Sequence, residues 1–316
     1  MEAILEPDLP ICDPHHHLWG DEPHTTYPHP YRIDALEADV HSGHNVVKTV
    51  FVECRTHYRT EGPEAFRSVG EVEFVVRSDP SGFIAGIVGS ADLRLPEVAD
   101  VLDALGEASA GRFRGIRQIT VWDADPGVSL ARPNSPGMLA EPAFDRGLDA
   151  LARKGLIYDA WLYHPQLPEL VAAARAHPDL SIVLNHLGGP LGVGHYRDDP
   201  EEVRVNWRRA MTELATCENV AIKLGGLGSA CFGRGWEERP EGASAEEIAD
   251  SFGDDIRWCI ATFGADRCMF ESNFPADKGS FSYATIWNAY KRIVADASPD
   301  EKRALFCDTA SRVYRV

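Results

Sequence analysis

At 316 residues, with 44% apolar and 25% charged residues, the chain has the length for a large buried core and is neither disordered, collagen-like nor coiled-coil in composition. Its 31 Lys and Arg stand against 49 Asp and Glu, a formal net charge of −18, whereas nucleic acid and anionic membranes as partners need a basic face. Seven scattered cysteines without a C-x-x-C spacing, a start without signal-peptide character and no apolar run of membrane-spanning length lead us to expect a cytoplasmic protein acting on a small molecule, with a homo-oligomer left open.

Short apolar runs recur along the chain, each followed by a longer helical pattern. They cover 11–17, 47–54, 82–93, 113–120, 156–164, 180–188, 220–227 and 268–274, and are rich in Val, Ile and Phe. Runs apolar on both faces are the mark of parallel strands buried under helices. Ser244 with Glu247 predicts a helix toward Phe263, Pro165 to Leu167 opens one ending near His177, and Ser298-Pro299-Asp300-Glu301 starts another. Eight β–α alternations predict an α/β fold, a (β/α)8 TIM barrel forming one domain over 1–316, with a doubly wound sheet as the alternative. Long βα loops at 121–143 and 224–243 follow strands four and seven, on the face where barrel sites lie.

In the first run, Asp13-Pro14-His15-His16-His17 ends the strand, and alternation turns His15 and His17 to one side and His16 to the other. Two imidazoles so placed can share a small cation or an oxyanion. Past strand two, Glu53, Arg55 and His57 alternate and would line the pocket if the strand extends that far. On strand four, Arg117 either clamps a substrate carboxylate or forms an ion pair with Glu53 or Glu271. His164 closes strand five and His186 strand six, while Lys223 on strand seven reads as a core-edge residue with its amine reaching out. The wall 19–31 is aromatic and His-rich. Gly188-Gly189 and Gly225-Gly226 read as tight turns rather than a phosphate loop.

These motifs together, D-x-H-x-H-L-W, N-H-L-G-G-P, K-L-G-G-L and M-F-x-S-x-x-P, resemble the amidohydrolase superfamily. The similar branch is that of TIM-barrel hydrolases related to sugar lactonases and 2-pyrone-4,6-dicarboxylate lactonase, and the likeness spans Asp13 to the terminus. It implies that His15, His17 and His186 bind a divalent metal or polarise a carbonyl, with His164 as the strand-five histidine. The family's last strand carries an Asp that serves as metal ligand and acid/base. Here Asn273 stands in that place, and an amide cannot act as a general base. Glu271, on the same side, and Asp277, beside Lys278, are the carboxylates that can replace it.

The expected function is therefore lactonase-type hydrolysis of a small cyclic ester. Water attacks the ring carbonyl, which His15, His17 and His186 polarise directly or through a metal, and Glu271 or Asp277 takes the proton. Glu53, Arg55, His57, Arg117 and Lys278 are the substrate-binding candidates. Three His and an Asn suit zinc poorly, so zinc or another divalent ion would be weakly held, or absent. A decarboxylase of an aromatic carboxylate and a catalytically silent barrel binding a small acid are the alternatives.

Overall fold

The structure is a computed structural model and describes residues 2–20, 28–128 and 134–316. All eight runs become strands: β1 Pro10–His16, β2 Asn45–Val52, β3 Ile84–Gly89, β4 Phe113–Ile119, β5 Ile157–Trp161, β6 Ile182–Leu184, β7 Val220–Lys223 and β8 Cys268–Met269. Each pairs in parallel with its neighbours in sequence order. This is the (β/α)8 barrel, and the doubly wound alternative is excluded by that order.

β8 is two residues long, so the seam to β1 is closed beyond it. The N–H of Asn273 donates to the carbonyl of His15 (2.9 Å), and the N–H of His17 to that of Phe274 (2.7 Å). Asp13, wholly buried, completes the seam by accepting from the Ser272 N–H (3.0 Å), the Ser272 hydroxyl (2.6 Å) and the Tyr283 hydroxyl (2.9 Å). Burial pushes its pKa up to about 6 against these hydrogen bonds.

The helices start where their caps dictate. Ser244 accepts from the Glu247 N–H at the head of Ala245–Phe263, and Ser298 and Glu301 form the capping box of Pro299–Arg303. The helix Leu167–Ala176 follows one 3-10 turn, His164–Gln166. Inside the barrel, Cys12, Val50, Val52, Val88, Ile157, Val183, Ala221 and Met269 pack with Cys307, Ala310 and Tyr314, so the last helix, Thr309–Tyr314, closes the barrel interior with side chains of its own. No helix among the described residues is long and apolar enough to cross a membrane.

Candidate active site

Alternation along the strands sends charged side chains into this interior. Asp159 is two residues beyond Ile157, Lys223 two beyond Ala221, and Glu271 two beyond Met269. All three charged residues are fully buried, and charge there must be paired.

Three of the four strand-end histidines meet. The rings of His15 and His17 lie 5.0 Å apart and those of His15 and His186 4.7 Å apart. His16 points the other way, against Phe51, and burial lowers its pKa to about 4. His164 does not join them. Its Nδ1 accepts from the Leu191 N–H (3.3 Å), its ring packs on Tyr196 at 5.1 Å, and burial lowers its pKa to about 4. The chain turns into the His164–Gln166 helix there, which carries the ring off the strand's line.

Glu271 sits between two of the rings. Its Oε1 lies 2.7 Å from His186 Nδ1, and its Oε2 lies 2.6 Å from His15 Nδ1. A carboxylate oxygen and a ring nitrogen that close repel unless the nitrogen carries a proton. Arg117 Nη1, a donor, is 3.1 Å from His15 Nε2, which must therefore accept. His15 is then the Nδ1–H tautomer, its charged form opposed by burial and by the neighbouring Lys223, so that its pKa falls well below the ordinary value. His17 Nδ1 is 2.7 Å from the Val52 carbonyl and so carries its proton there as well. His17 and His186 thus give Nδ1–H to an acceptor and present Nε2 as a lone pair, whereas His15 Nδ1 lies near Glu271 Oε2 without a hydrogen bond to it and is approached by Lys223 Nζ at 3.4 Å. That is how histidines are oriented toward a metal.

Two observations test whether these residues fit a divalent ion. His15, His186 and Glu271 bring donor atoms within 4.8 Å of one another. His17 Nε2 faces Asn273 Oδ1 at 3.3 Å, and two acceptors facing each other need a cation or a proton between them. The residues fit. Glu271 lies on the Nδ1 side of the His15 and His186 rings, so the Nε2 atoms of the three imidazoles, with Asn273 Oδ1, are what is left for an ion.

The other candidates are placed as follows. Glu271 is not a free base, since its oxygens face the two rings. Asp277 is 1% exposed. It accepts from Asn273 Nδ2 (2.9 Å) and the Gly228 N–H (3.0 Å). Lys278 turns away to Asp39 (2.6 Å) and over the Tyr31 ring. Arg117 forms the ion pair, not the clamp. Its Nε donates to Glu53 Oε1 (2.8 Å), its Nη2 to the Glu53 carbonyl and its Nη1 to His15. Strand two ends at Val52, and Arg55 and His57 adopt left-handed backbone, so alternation does not extend to them. Both are exposed, and His57 stacks on Phe74 at 3.6 Å. Lys223 does not reach out but is fully buried, 2.7 Å from Asp159.

The glycine pairs carry more than turns. A Cβ on Gly225 would lie 2.2 Å from Glu271 Cγ, and one on Gly226 would lie 2.4 Å from His186 Nδ1. The site occupies their side-chain space. The wall 19–31 is described at its ends, where Trp19 and Tyr31 bridge; 21–27 and, in the 121–143 loop, 129–133 lie outside the described residues. Asp159 and Tyr314 are absent from the candidates drawn from sequence. A lone acid inside the apolar run 156–164 was the signal for the first.

Burial pushes the Asp277 pKa up from 3.8 to about 8. The folded state therefore holds a proton that the unfolded chain releases. Its contribution to stability is full below pH ~4 and is lost as the pH rises toward 8. Relative to Asp277→Asn, the wild type should lose up to about 1.4 kcal/mol per pH unit over that window. Urea unfolding of both proteins from pH 4.5 to 7.5 checks this, and parallel curves would refute it.

Residues 12–316 match the family described as Amidohydrolase. An uncharacterized protein of Sinorhizobium fredii is 36% identical over 98% of this chain and 99% of its own length. An L-fucono-1,5-lactonase of Burkholderia multivorans is 29% identical over 74% of this chain and 72% of its own. Among solved structures, a Burkholderia multivorans amidohydrolase with bound zinc superposes with a TM-score of 0.76 at 23% identity, covering 97% of this chain and 99% of that one.

Proposed function

This chain belongs to the amidohydrolase family, and from that premise we propose that it is a lactonase whose substrate is a neutral, hydroxyl-rich cyclic ester. The observation that carries the choice of substrate is the commitment of two buried cations and one half-buried one. Arg117 spends its guanidinium on Glu53 and His15, Lys223 is held by Asp159, and Lys278 by Asp39. A substrate carboxylate would have to displace one of those partners. Sugar-ring hydroxyls need none of them, and Glu53 Oε2, buried without a hydrogen-bond partner among the described residues, is an acceptor suited to one. Half-buried Trp161, edge-on to His186 at 4.6 Å, offers an aromatic face for the ring. The similarity to an L-fucono-1,5-lactonase supports the same reading.

His15, His17 and His186, with Asn273 Oδ1, would hold a divalent ion, which would supply Lewis-acid polarisation of the acyl oxygen. Arg117 already engages the His15 lone pair, so an ion competes with a fixed cation there and is held less tightly than by three free imidazoles. Glu271 keeps His15 and His186 in one tautomer. In its ionised form, which predominates only above about pH 8, Asp277, beside Asn273, takes the proton from the attacking water as the carbon–oxygen bond forms. It returns that proton to the ring oxygen as the ester bond breaks, giving a hydroxy acid.

The test is a substrate panel with metal content measured on the same untagged sample. Sugar 1,5-lactones should exceed 2-pyrone carboxylates by at least about tenfold in kcat/KM, the discrimination expected when a buried polar contact is left unpaired. A preference for the carboxylated ring, or no lactone turned over, would refute the proposal.

A further inference from the structure

The turn that follows β6 re-aims a side chain. Val183 faces the barrel interior, so alternation places Leu184 outward, Asn185 inward and His186 outward, toward the helices. Asn185 obeys, its Nδ2 donating to Asp159 (2.8 Å). His186 does not, since its ring meets Glu271 and His15. The backbone makes the difference. Residues 186–189 all take left-handed conformations, with φ of 52° at His186, 55° at Leu187, 67° at Gly188 and 58° at Gly189. Glycine adopts that region freely. A histidine and a leucine do not, and they stay there only where their surroundings hold them.

Each carbonyl of the turn has a donor. That of Asn185 accepts from the Gly188 N–H (3.0 Å), that of His186 from the Gly189 N–H (2.9 Å) and that of Gly189 from the His164 N–H (3.0 Å). The Leu187 carbonyl takes its hydrogen bond from a side chain instead. Trp207 Nε1, reaching in from the helix Pro200–Ala215, donates to it at 2.7 Å. Trp207 and Leu187 are each 1% exposed, so solvent does not reach the bond. A buried carbonyl that loses its donor there is left unsatisfied. From the inside, Glu271 Oε1 draws on the His186 N–H (3.3 Å) as well as on its ring. Trp207 fixes the next residue from the outside, and its own ring packs on Trp258 at 5.4 Å.

We propose that Trp207 is a positioning residue: its indole N–H pins the Leu187 carbonyl, keeps the turn left-handed and so holds the His186 ring at the barrel mouth instead of among the helices. The proposal rests on the role given to His186 above. A helix of the outer ring thereby sets where one imidazole stands, although Trp207 touches no substrate.

The experiment follows hydrogen exchange and the His186 ring Cε1–Hε1 resonance by NMR, beside lactone kinetics, in wild type, Trp207→Phe and Trp258→Phe. In wild type the Trp207 indole N–H should show the same protection as the Gly188 and Gly189 amides, because one opening of the turn frees them together. That measurement needs no variant to fold. Trp207→Phe keeps an aromatic ring and removes the donor. It should speed exchange at Gly188 and Gly189 by about tenfold or more. The Ile182 amide, bonded within the sheet to the Asn219 carbonyl, should be unmoved. The His186 resonance should shift, and kcat should fall about tenfold to a hundredfold with KM little changed, as loss of an orienting partner does. Trp258→Phe trims the same aromatic pair without removing the bond and should change none of these. An indole N–H less protected than the two glycine amides, an unloosened turn in Trp207→Phe, a loosened turn with wild-type kcat, or the same changes in Trp258→Phe would overturn the proposal. Exchange and resonance need no substrate: a loosened turn and a shifted His186 in a protein that turns over no lactone would sink the functional reading and leave the positioning role standing. A lactonase whose turn is unmoved in Trp207→Phe would do the reverse.

Discussion

Glu271→Gln should reduce kcat on a lactone by roughly 10²–10⁴ with KM little changed, the range spanned by loss of an orienting carboxylate and by a wrongly protonated catalytic histidine. The carboxylate accepts through Oε1 from His186 Nδ1 at 2.7 Å, while Oε2 lies 2.6 Å from His15 Nδ1 without a hydrogen bond among the described residues. A glutamine keeps the shape but offers one acceptor and one donor. Its amide N–H₂ must face one of the two Nδ1 atoms, and that ring can hold the contact only by moving its own proton to Nε2. One lone pair directed at the reaction is then lost. Because the change removes a buried charge and not a packed volume, the unfolding midpoint in urea should move little, so the loss is not one of folding. Steady-state kinetics beside a denaturation curve separate the two effects. Wild-type kcat in Glu271→Gln would show that the tautomers are set elsewhere. A Glu271→Gln protein inactive only because it is unfolded would show that the carboxylate is structural.

Arg117→Met should cost about 3–5 kcal/mol of stability, the largest single loss expected from this chain's interior. The guanidinium is 6% exposed and Glu53 1%, so solvent screens neither. Removing the cation strands the Glu53 carboxylate, whose second oxygen has no hydrogen-bond partner among the described residues even with Arg117 present. Glu71, also buried, already repels it. Burial first and Glu53 second raise the Glu71 pKa to about 8, while Glu71 Oε1 holds the loop after β2 through the N–H groups of Cys54 and Thr56. The double variant Glu53→Gln with Arg117→Met should recover much of the loss, because no charge is then left alone. A double-mutant cycle in urea measures this, and additive single losses would mean that the two groups do not depend on each other. The double variant should still be a poor catalyst, since Arg117 also fixes the lone pair of His15.

Much of the fold is written locally. Period-2 alternation inside apolar runs, with caps such as Ser244 and Ser298 at their stated positions, depends on neighbours a few residues away, and all eight strands and these helix starts were legible from it. The same alternation placed His15 and His17 on one side and His16 on the other. It failed where the backbone leaves the strand. Arg55, His57 and His164 lie in turns, and His186 and Asn273 themselves take left-handed conformations that no pattern of apolar residues announces.

What each charge does was decided by tertiary structure alone. Glu271 meets His186 across 85 residues, Lys223 meets His15 across 208, and Tyr314 meets Asp159 across 155. Closing eight strands into a barrel brings side chains from distant strands into one low-dielectric interior, where each ion must find a partner. Which partner it finds depends on strand order, register and the glycine gaps at 225 and 226. The sequence by itself supplied the imidazoles and the carboxylates; their protonation, their pairing and the involvement of the last helix follow from the geometry of closure.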